Sequence, residues 1–273
     1  MPATVSSLRA ESVGERVDFS PNAPVYDRRH GAALSREEVD RVWAGARLHP
    51  GARILDIGAG TGRVAIPLAA RGCRVVAVEP AAGMLQELKK KASAIDVTLA
   101  AGEGARLPFA SGAFDVVVIA RLLYLTSDWR AILHEAHRVL AGGGCLLHEW
   151  GNGEGDEEWV HIREEARRLF ETAGVLSPFH PGVRSEAEVD ADLAQLRLVR
   201  ESEIVLGSGP EITLGEFLRR LVDGELSYIW NVPDHVRADC LPRLRRWSEA
   251  RFDLEARVPM PKEIRWTIHR KAA

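Results

Sequence analysis

The chain predicts an α/β protein with a doubly wound, mostly parallel, seven-stranded sheet of Rossmann-like type. Three observations carry that prediction. Short apolar runs alternate with helix-like stretches from Arg53 to Glu149. Phe114 to Ile119 is a continuous apolar run, as expected of a strand buried on both faces. Ile54 to Arg63 reads as a buried strand entering a glycine-rich turn and then a helix.

The elements follow in order. Residues 1–34 read as irregular, because Pro2, Pro21 and Pro24 interrupt any helix. Ser35 and Glu38 form a capping box that opens a helix to about Leu48. After the Pro50-Gly51 turn comes a strand, Arg53 to Ile57. A helix from Gly62 to Arg71 ends at Gly72 and must tolerate Pro67 inside it. A second strand, Arg74 to Val78, ends at Glu79. It is followed by a helix from Ala82 to Ser93 and a short strand from Val97 to Ala100. Strand four is Phe114 to Ile119. The next helix runs from Asp128 to Leu140, and strand five is Cys145 to Glu149. Right-handed crossovers then give the doubly wound arrangement.

The regularity stops at Gly151. A helix begins at Asp156-Glu157-Glu158 and reaches Thr172, with a Pro/Gly loop over 177–182. A sixth strand spans Leu198 to Leu206. Thr213 and Glu216 form a second capping box, Pro233 starts another helix, and Lys262 to Lys271 reads as the last strand. The expected domains are 1–48, an N-terminal lid segment and helix; 49–150, the core; and 151–273, a helical cap with the two strands that complete the sheet.

Composition narrows the function classes. The formal net charge is -3, so no global basic field calls for nucleic acid or an anionic membrane. Cys73, Cys145 and Cys240 are far apart and form neither a zinc signature nor a disulfide framework. With no apolar run near the ~18 residues a bilayer span requires, and no apolar signal core at the N-terminus, a cytoplasmic location is expected.

The glycine turn is Gly58-Ala59-Gly60-Thr61-Gly62, a GxGxG spacing. Asp56, two residues earlier, is poorly matched to a pyrophosphate and well matched to a positively charged ligand. S-adenosylmethionine (SAM) carries two positive charges, an ammonium and a sulfonium. Glu79, at the end of strand two, can accept hydrogen bonds from both hydroxyls of an adenosine ribose. Glu103 follows strand three and can accept from an adenine amino group, with the Gly104 N–H beside it.

Taken together, these residues resemble the class I SAM-dependent methyltransferases, in the small-molecule subgroup that includes ubiquinone-biosynthesis-like enzymes. The resemblance covers about residues 24–150. It rests on Tyr26-Asp27, Leu55 to Gly62, Val78-Glu79-Pro80 with Met84-Leu85, Gly102-Glu103 with Leu107-Pro108-Phe109, Phe114 to Val117, and Arg138-Val139-Leu140 with Gly143-Gly144. It implies that Asp56, Gly58, Ala59 and Gly60 hold the methionine moiety and that Glu79 binds the ribose. Pro80 and Met84 would pack on the adenine, while Gly102, Glu103 and Gly104 meet its edge. Ala120 would line the methyl-donor pocket, and Tyr26 would belong to a lid. The implied cofactor is SAM, leaving S-adenosylhomocysteine, with no metal. The acceptor would be a small molecule, since strand four is not followed by the Asn/Asp-Pro-Pro-aromatic turn of enzymes acting on nucleobases.

Methyl transfer from a sulfonium is an in-line displacement that depends chiefly on positioning. His148 and Glu149, at the end of strand five, are the candidate general bases. Arg121 and Tyr124 could orient an acceptor, and His180 lies in the expected cap. Trp159, Phe170, Phe179, Tyr228, Trp230 and Trp247 either line an acceptor pocket or form the core of the cap. Two other readings share these features: an NAD(P)-binding oxidoreductase, and a SAM-binding regulator without catalysis. The acceptor, the atom methylated and the oligomeric state are not legible.

Overall fold

A computed structural model describes residues 19–31, 33–150, 158–175, 181–207, 211–230, 232–259 and 263–272. The first half of the chain forms α1 (Ala23–His30), α2 (Arg36–Gly45), β1 (Arg53–Ile57), α3 (Ala65–Ala70), β2 (Arg74–Glu79), α4 (Ala82–Lys91), β3 (Val97–Ala101), β4 (Phe114–Ala120), α5 (Trp129–Val139) and β5 (Leu140–Glu149). The second half forms α6 (Glu158–Thr172), α7 (Glu186–Gln195), β6 (Leu198–Leu206), β7 (Glu211–Thr213), α8 (Leu214–Val222), α9 (Asp234–Glu249), β8 (Arg257–Pro259) and β9 (Ile264–Lys271).

Seven strands form one sheet in the order β3-β2-β1-β4-β5-β9-β6. The five strands up to β5 are parallel, and β9 runs antiparallel to both neighbours. Alternate residues of each strand face opposite sides, so two cores form. Ile54, Val116, Val118, Cys145 and Leu147 pack with Val42 of α2 and Leu68 of α3. Leu55, Ile57, Val117, Ile119 and Leu146 pack with Leu133 and Ala136 of α5 and Val189 of α7. This parity decides where the end of β5 points. Glu149 continues the Cys145–Leu147 row toward α2 and α3. His148 continues the Leu146 row toward α5 and α7.

Four details depart from the sequence reading. Residues 23–30 are helical, with Pro24 in the first turn, where its missing N–H breaks no bond. α3 starts at Ala65, which puts Pro67 in its first turn as well. The Arg63 carbonyl, which a residue-67 amide would otherwise use, accepts instead from the Leu34 N–H at 3.0 Å. β5 begins at Leu140 and absorbs the three glycines through a register shift opposite Phe114 and Val116. A Cβ on Gly144 would stand 2.7 Å from the Asp115 carbonyl oxygen, so only glycine fits this approach. Helix α7 and the β7–β8 ribbon carry no strong alternation and were not anticipated.

A third core belongs to the region after β5. Trp159, Phe170, Phe217, Leu221, Ile229 and Leu244 join α6, α8 and α9. Trp159 and Phe170 are therefore packing residues. Phe179, His180 and the Tyr228 side chain lie outside the described residues.

His148 is 1% exposed, near His269, Asp190 and Arg200. Burial, then the neighbouring His269, pushes its pKa down to about 3 from 6.5. The unfolded chain takes up a proton near the ordinary value while the folded protein does not. The stability linked to this histidine is thus complete above 6.5 and is lost as pH falls toward 3. Replacing it, His148→Phe, should remove up to ~1.4 kcal/mol per pH unit from the acid slope of stability. Urea unfolding of both proteins from about pH 4 to pH 7 measures that difference. Equal slopes would contradict it.

Candidate functional site

The carboxyl ends of β1 and β4 open onto a cleft beneath α1. It brings together Tyr26, Asp56, Gly58, Ala59, Gly60 and Ala120. All six were singled out from the sequence. Thr61, Arg63, Val64 and Arg121 complete the wall. The glycines set its shape. Gly58 has φ +72°, and a Cβ there would stand 2.9 Å from Leu122 Cδ2. Gly60 has φ +55° and faces open space.

Glu79 ends β2 beside this turn and is 7% exposed. Its Oε2 accepts from the Gly60 N–H at 3.0 Å, and its Oε1 from the Ala81 N–H at 2.9 Å. The carboxylate thus ties the glycine turn to the start of α4. Met84 of that helix is buried and Pro80 half-buried. The loop after β3 carries Gly102, Glu103 and Gly104 at the next sheet end, with the Gly102 N–H donating to the Glu79 carbonyl at 3.3 Å. Glu103 is exposed. A Cβ on Gly104 would stand 2.5 Å from Ile57 Cγ2, so the loop lies close on β1. Neither these three nor Glu79, Pro80 and Met84 line the cleft itself.

Asp56 is 2% exposed, and its Oδ2 is buried without a hydrogen-bond partner. Burial raises its pKa from 3.8 to about 7, against the lowering effect of Arg63 and of the Ala65 amide. A buried acceptor without a donor is costly. It fits a cationic ligand entering from the cleft.

Below the cleft lies a charge cluster. Glu149, 2% exposed, is ion-paired with Arg63 and accepts from Arg121 Nε at 2.8 Å. Arg63 also lies 3.6 Å from Glu38 of α2. Burial draws the Arg63 pKa down to about 10, the nearby Arg121 charge adding to the effect. Arg121 has φ +54°, a conformation unusual for a non-glycine residue and here not at a helix end. Of the two candidate bases, Glu149 is engaged by both guanidinium groups, and His148 lies on the other face of the sheet. Sequence reasoning missed Arg63, Glu38 and Thr61. The Arg63 signal was present, as the residue directly after the third glycine.

Helix α1 is fastened over the turn. Asp27 accepts from the Thr61 hydroxyl and, at 2.7 Å, from Lys91 Nζ of α4. The Gly83 N–H donates to Ser20 Oγ at 3.2 Å. Phe19 meets Tyr26 edge-on at 6.1 Å and Trp230 at 5.4 Å, joining this segment to the region after β5. Burial raises the Tyr26 pKa, so its hydroxyl stays protonated. The substitution Asp27→Ala should speed amide exchange across Ala23–His30 several-fold, about 1 kcal/mol, while β1 and β4 exchange as before. Unchanged exchange in α1 would show that this contact does not hold the helix.

Residues 54–144 match the methyltransferase-domain family profile. The demethylmenaquinone methyltransferase of Beutenbergia cavernae is 40% identical over 114 residues, which are 40% of this chain and 47% of that protein. The malonyl-[acyl-carrier protein] O-methyltransferase of Serratia marcescens is 34% identical over 129 residues, 47% of this chain and 49% of that protein. The matches thus span about half the length of these curated relatives. The structure of Haemonchus contortus phosphoethanolamine N-methyltransferase 2 in complex with S-adenosyl-L-methionine superposes with a TM-score of 0.57 at 14% identity, covering 93% of this chain and 57% of that one. At that identity the likeness is one of fold. Residues 54–144, which carry Asp56, the GxGxG turn and Glu79 at the sheet ends, are thus similar to the methyltransferase-domain family.

Proposed function

We propose that this chain transfers a methyl group from SAM to a small organic acceptor. The observation that carries the reading is Asp56, whose buried Oδ2 has no donor and points to a cation at the glycine turn. SAM, when bound, supplies a methyl group on a positively charged sulfur. Asp56 would balance that positive end. The backbone of Gly58, Ala59 and Gly60 would border the methionine moiety, and Ala120 would line the donor pocket. Glu79 would hold the ribose hydroxyls. Pro80 and Met84 would lie against the adenine, with Gly102, Glu103 and Gly104 at its edge. The cleft's cavity is about 40 Å³.

A small acceptor is supported by the similarity to the demethylmenaquinone methyltransferase and by the formal net charge of -3. No helix among the described residues is long and apolar enough to cross a membrane, and the three cysteines are buried and unpaired. A cytoplasmic location and the lack of a nucleic-acid partner fit these facts and belong to the same proposal. The oxidoreductase reading is disfavoured, because a pyrophosphate at Asp56 would bring negative charge to a buried carboxyl.

Two outcomes are expected. Removing the ribose acceptor, Glu79→Ala, should weaken S-adenosylhomocysteine binding by about 10- to 100-fold in calorimetry. Unchanged affinity would remove Glu79 from the site. Asp56 must ionise to hold a cation, so SAM affinity should fall as pH drops below about 7. The Asp56→Asn variant should bind more weakly, with that pH dependence lost. A pH-independent wild type would contradict the assignment.

A further inference from the structure

We propose that helix α7 is a releasable clip, held on the sheet by ion pairs, and that acid frees it together with the turn that follows β4. The inference concerns the α5 face of the sheet and does not depend on the methyltransferase reading.

Three observations carry it. First, α7 is an acidic helix with little apolar anchorage. It carries Glu186, Glu188, Asp190 and Asp192 and no basic residue, and its buried side chains are Val189 and Leu193. Its carboxylates reach cations on three other elements. Arg265 of β9 lies 3.8 Å from Glu186, Arg130 of α5 lies 2.8 Å from Asp192, and Arg200 of β6 lies 2.6 Å from Asp190. These pairs are partly exposed, so each is weak and is screened by salt. An element fixed by few buried apolar side chains and by solvent-reached ion pairs opens before the strands beneath it.

Second, α7 covers two buried imidazoles. Asp190 Oδ1 lies 3.0 Å from His269 Nε2. His269 and His148 are each 1% exposed, on the neighbouring strands β9 and β5, and the Nδ1 of each is buried without a hydrogen-bond partner. The charged or titratable groups that face His148 are His269 from β9, Asp190 from α7 and Arg200 from β6. Helix α5 brings the apolar Leu133 and Ala136 to this core. Burial, then His269, keeps His148 neutral while α7 is in place. Once α7 leaves, the imidazole takes up a proton below its ordinary 6.5, and the charged ring no longer fits beneath the helix. Against its own burial, the His269 hydrogen bond and the Arg200 charge hold Asp190 below the usual carboxylate range. Asp190 therefore stays ionised while His148 titrates.

Third, α7 is joined to the wall of the cleft. The Gly182 N–H donates to the Tyr124 carbonyl at 3.1 Å, and the Val183 N–H to the Leu123 carbonyl at 3.2 Å. A Cβ on Gly182 would collide with the Leu123 carbonyl oxygen, so the chain entering α7 lies flush on this turn. Arg121 and Leu122 stand directly before it, Arg121 lining the cleft and Leu122 against Gly58. Freeing α7 takes this support away.

Hydrogen exchange followed by mass spectrometry on the whole chain, corrected for the intrinsic pH dependence of amide exchange, tests the clip between about pH 4.5 and about pH 7.5. From pH 6.5 downward the opening of residues 186–195 should rise by up to about tenfold per pH unit. Residues 121–125 should rise in step, with Arg53–Ile57 unchanged. At neutral pH, raising salt from about 0.05 M to about 0.5 M should speed exchange in residues 186–195 several-fold, and Asp190→Asn should do the same at low salt. His148→Phe should flatten the pH slope and keep the salt response. A flat wild type, or residues 186–195 and Arg53–Ile57 opening together at every pH, overturns the inference and needs no variant. A full slope in His148→Phe overturns the role of that histidine. Flat exchange in residues 121–125 while 186–195 opens overturns the link to the cleft.

Discussion

Glu149 is the interaction on which the site depends. A carboxylate at 2% exposure is tolerable only with charged partners, and it has two, Arg63 from the glycine turn and Arg121 from the end of β4. Glu38 of α2 approaches the same Arg63. Four segments distant in sequence are thereby pinned at one sheet end. Losing both partners would strand a buried charge, a loss of several kcal/mol in comparable cases. The parity of β5 is what sends Glu149 to this face and His148 to the other.

That cluster divides the labour of the cleft. On one side stand carboxyl groups suited to a cationic, ribose-bearing ligand, Asp56 and Glu79. On the other stands a guanidinium. Helix α1 covers both, held by Asp27 to Thr61 and Lys91, and Phe19 links it to Trp230 beyond β5. The fold alone would not give this reading, because such sheets host many chemistries; the charges at its strand ends do.

The strands up to β4 were legible because each is an apolar run bounded by glycine, proline or charge, and β1 and β6 fall where the pattern put them. Part of the cleft wall was legible for the same reason, since Asp56, Gly58 and Gly60 occupy fixed offsets from the end of β1. What could not be read came from long-range pairing. Pro67 looked like a helix defect until its place in the first turn of α3 showed the Arg63 carbonyl serving Leu34 instead. The pairing of Glu149 was not legible, because its two arginine partners lie 86 and 28 residues away. The aromatic residues after β5 could not be sorted between pocket and core by sequence. Packing assigns Trp159 and Phe170 to the core, while Trp230 contacts Phe19.

The strand-end carboxylates and the glycine turn are proposed to form one cofactor site, and a crystal structure of the protein with S-adenosylhomocysteine tests this. Expected are both ribose hydroxyls on the Glu79 carboxylate, the amino group within reach of Asp56 Oδ2, and the sulfur facing Ala120. A ligand bound elsewhere, or bound here with Glu79 still holding Gly60 and Ala81 and Asp56 Oδ2 still without a partner, would contradict it.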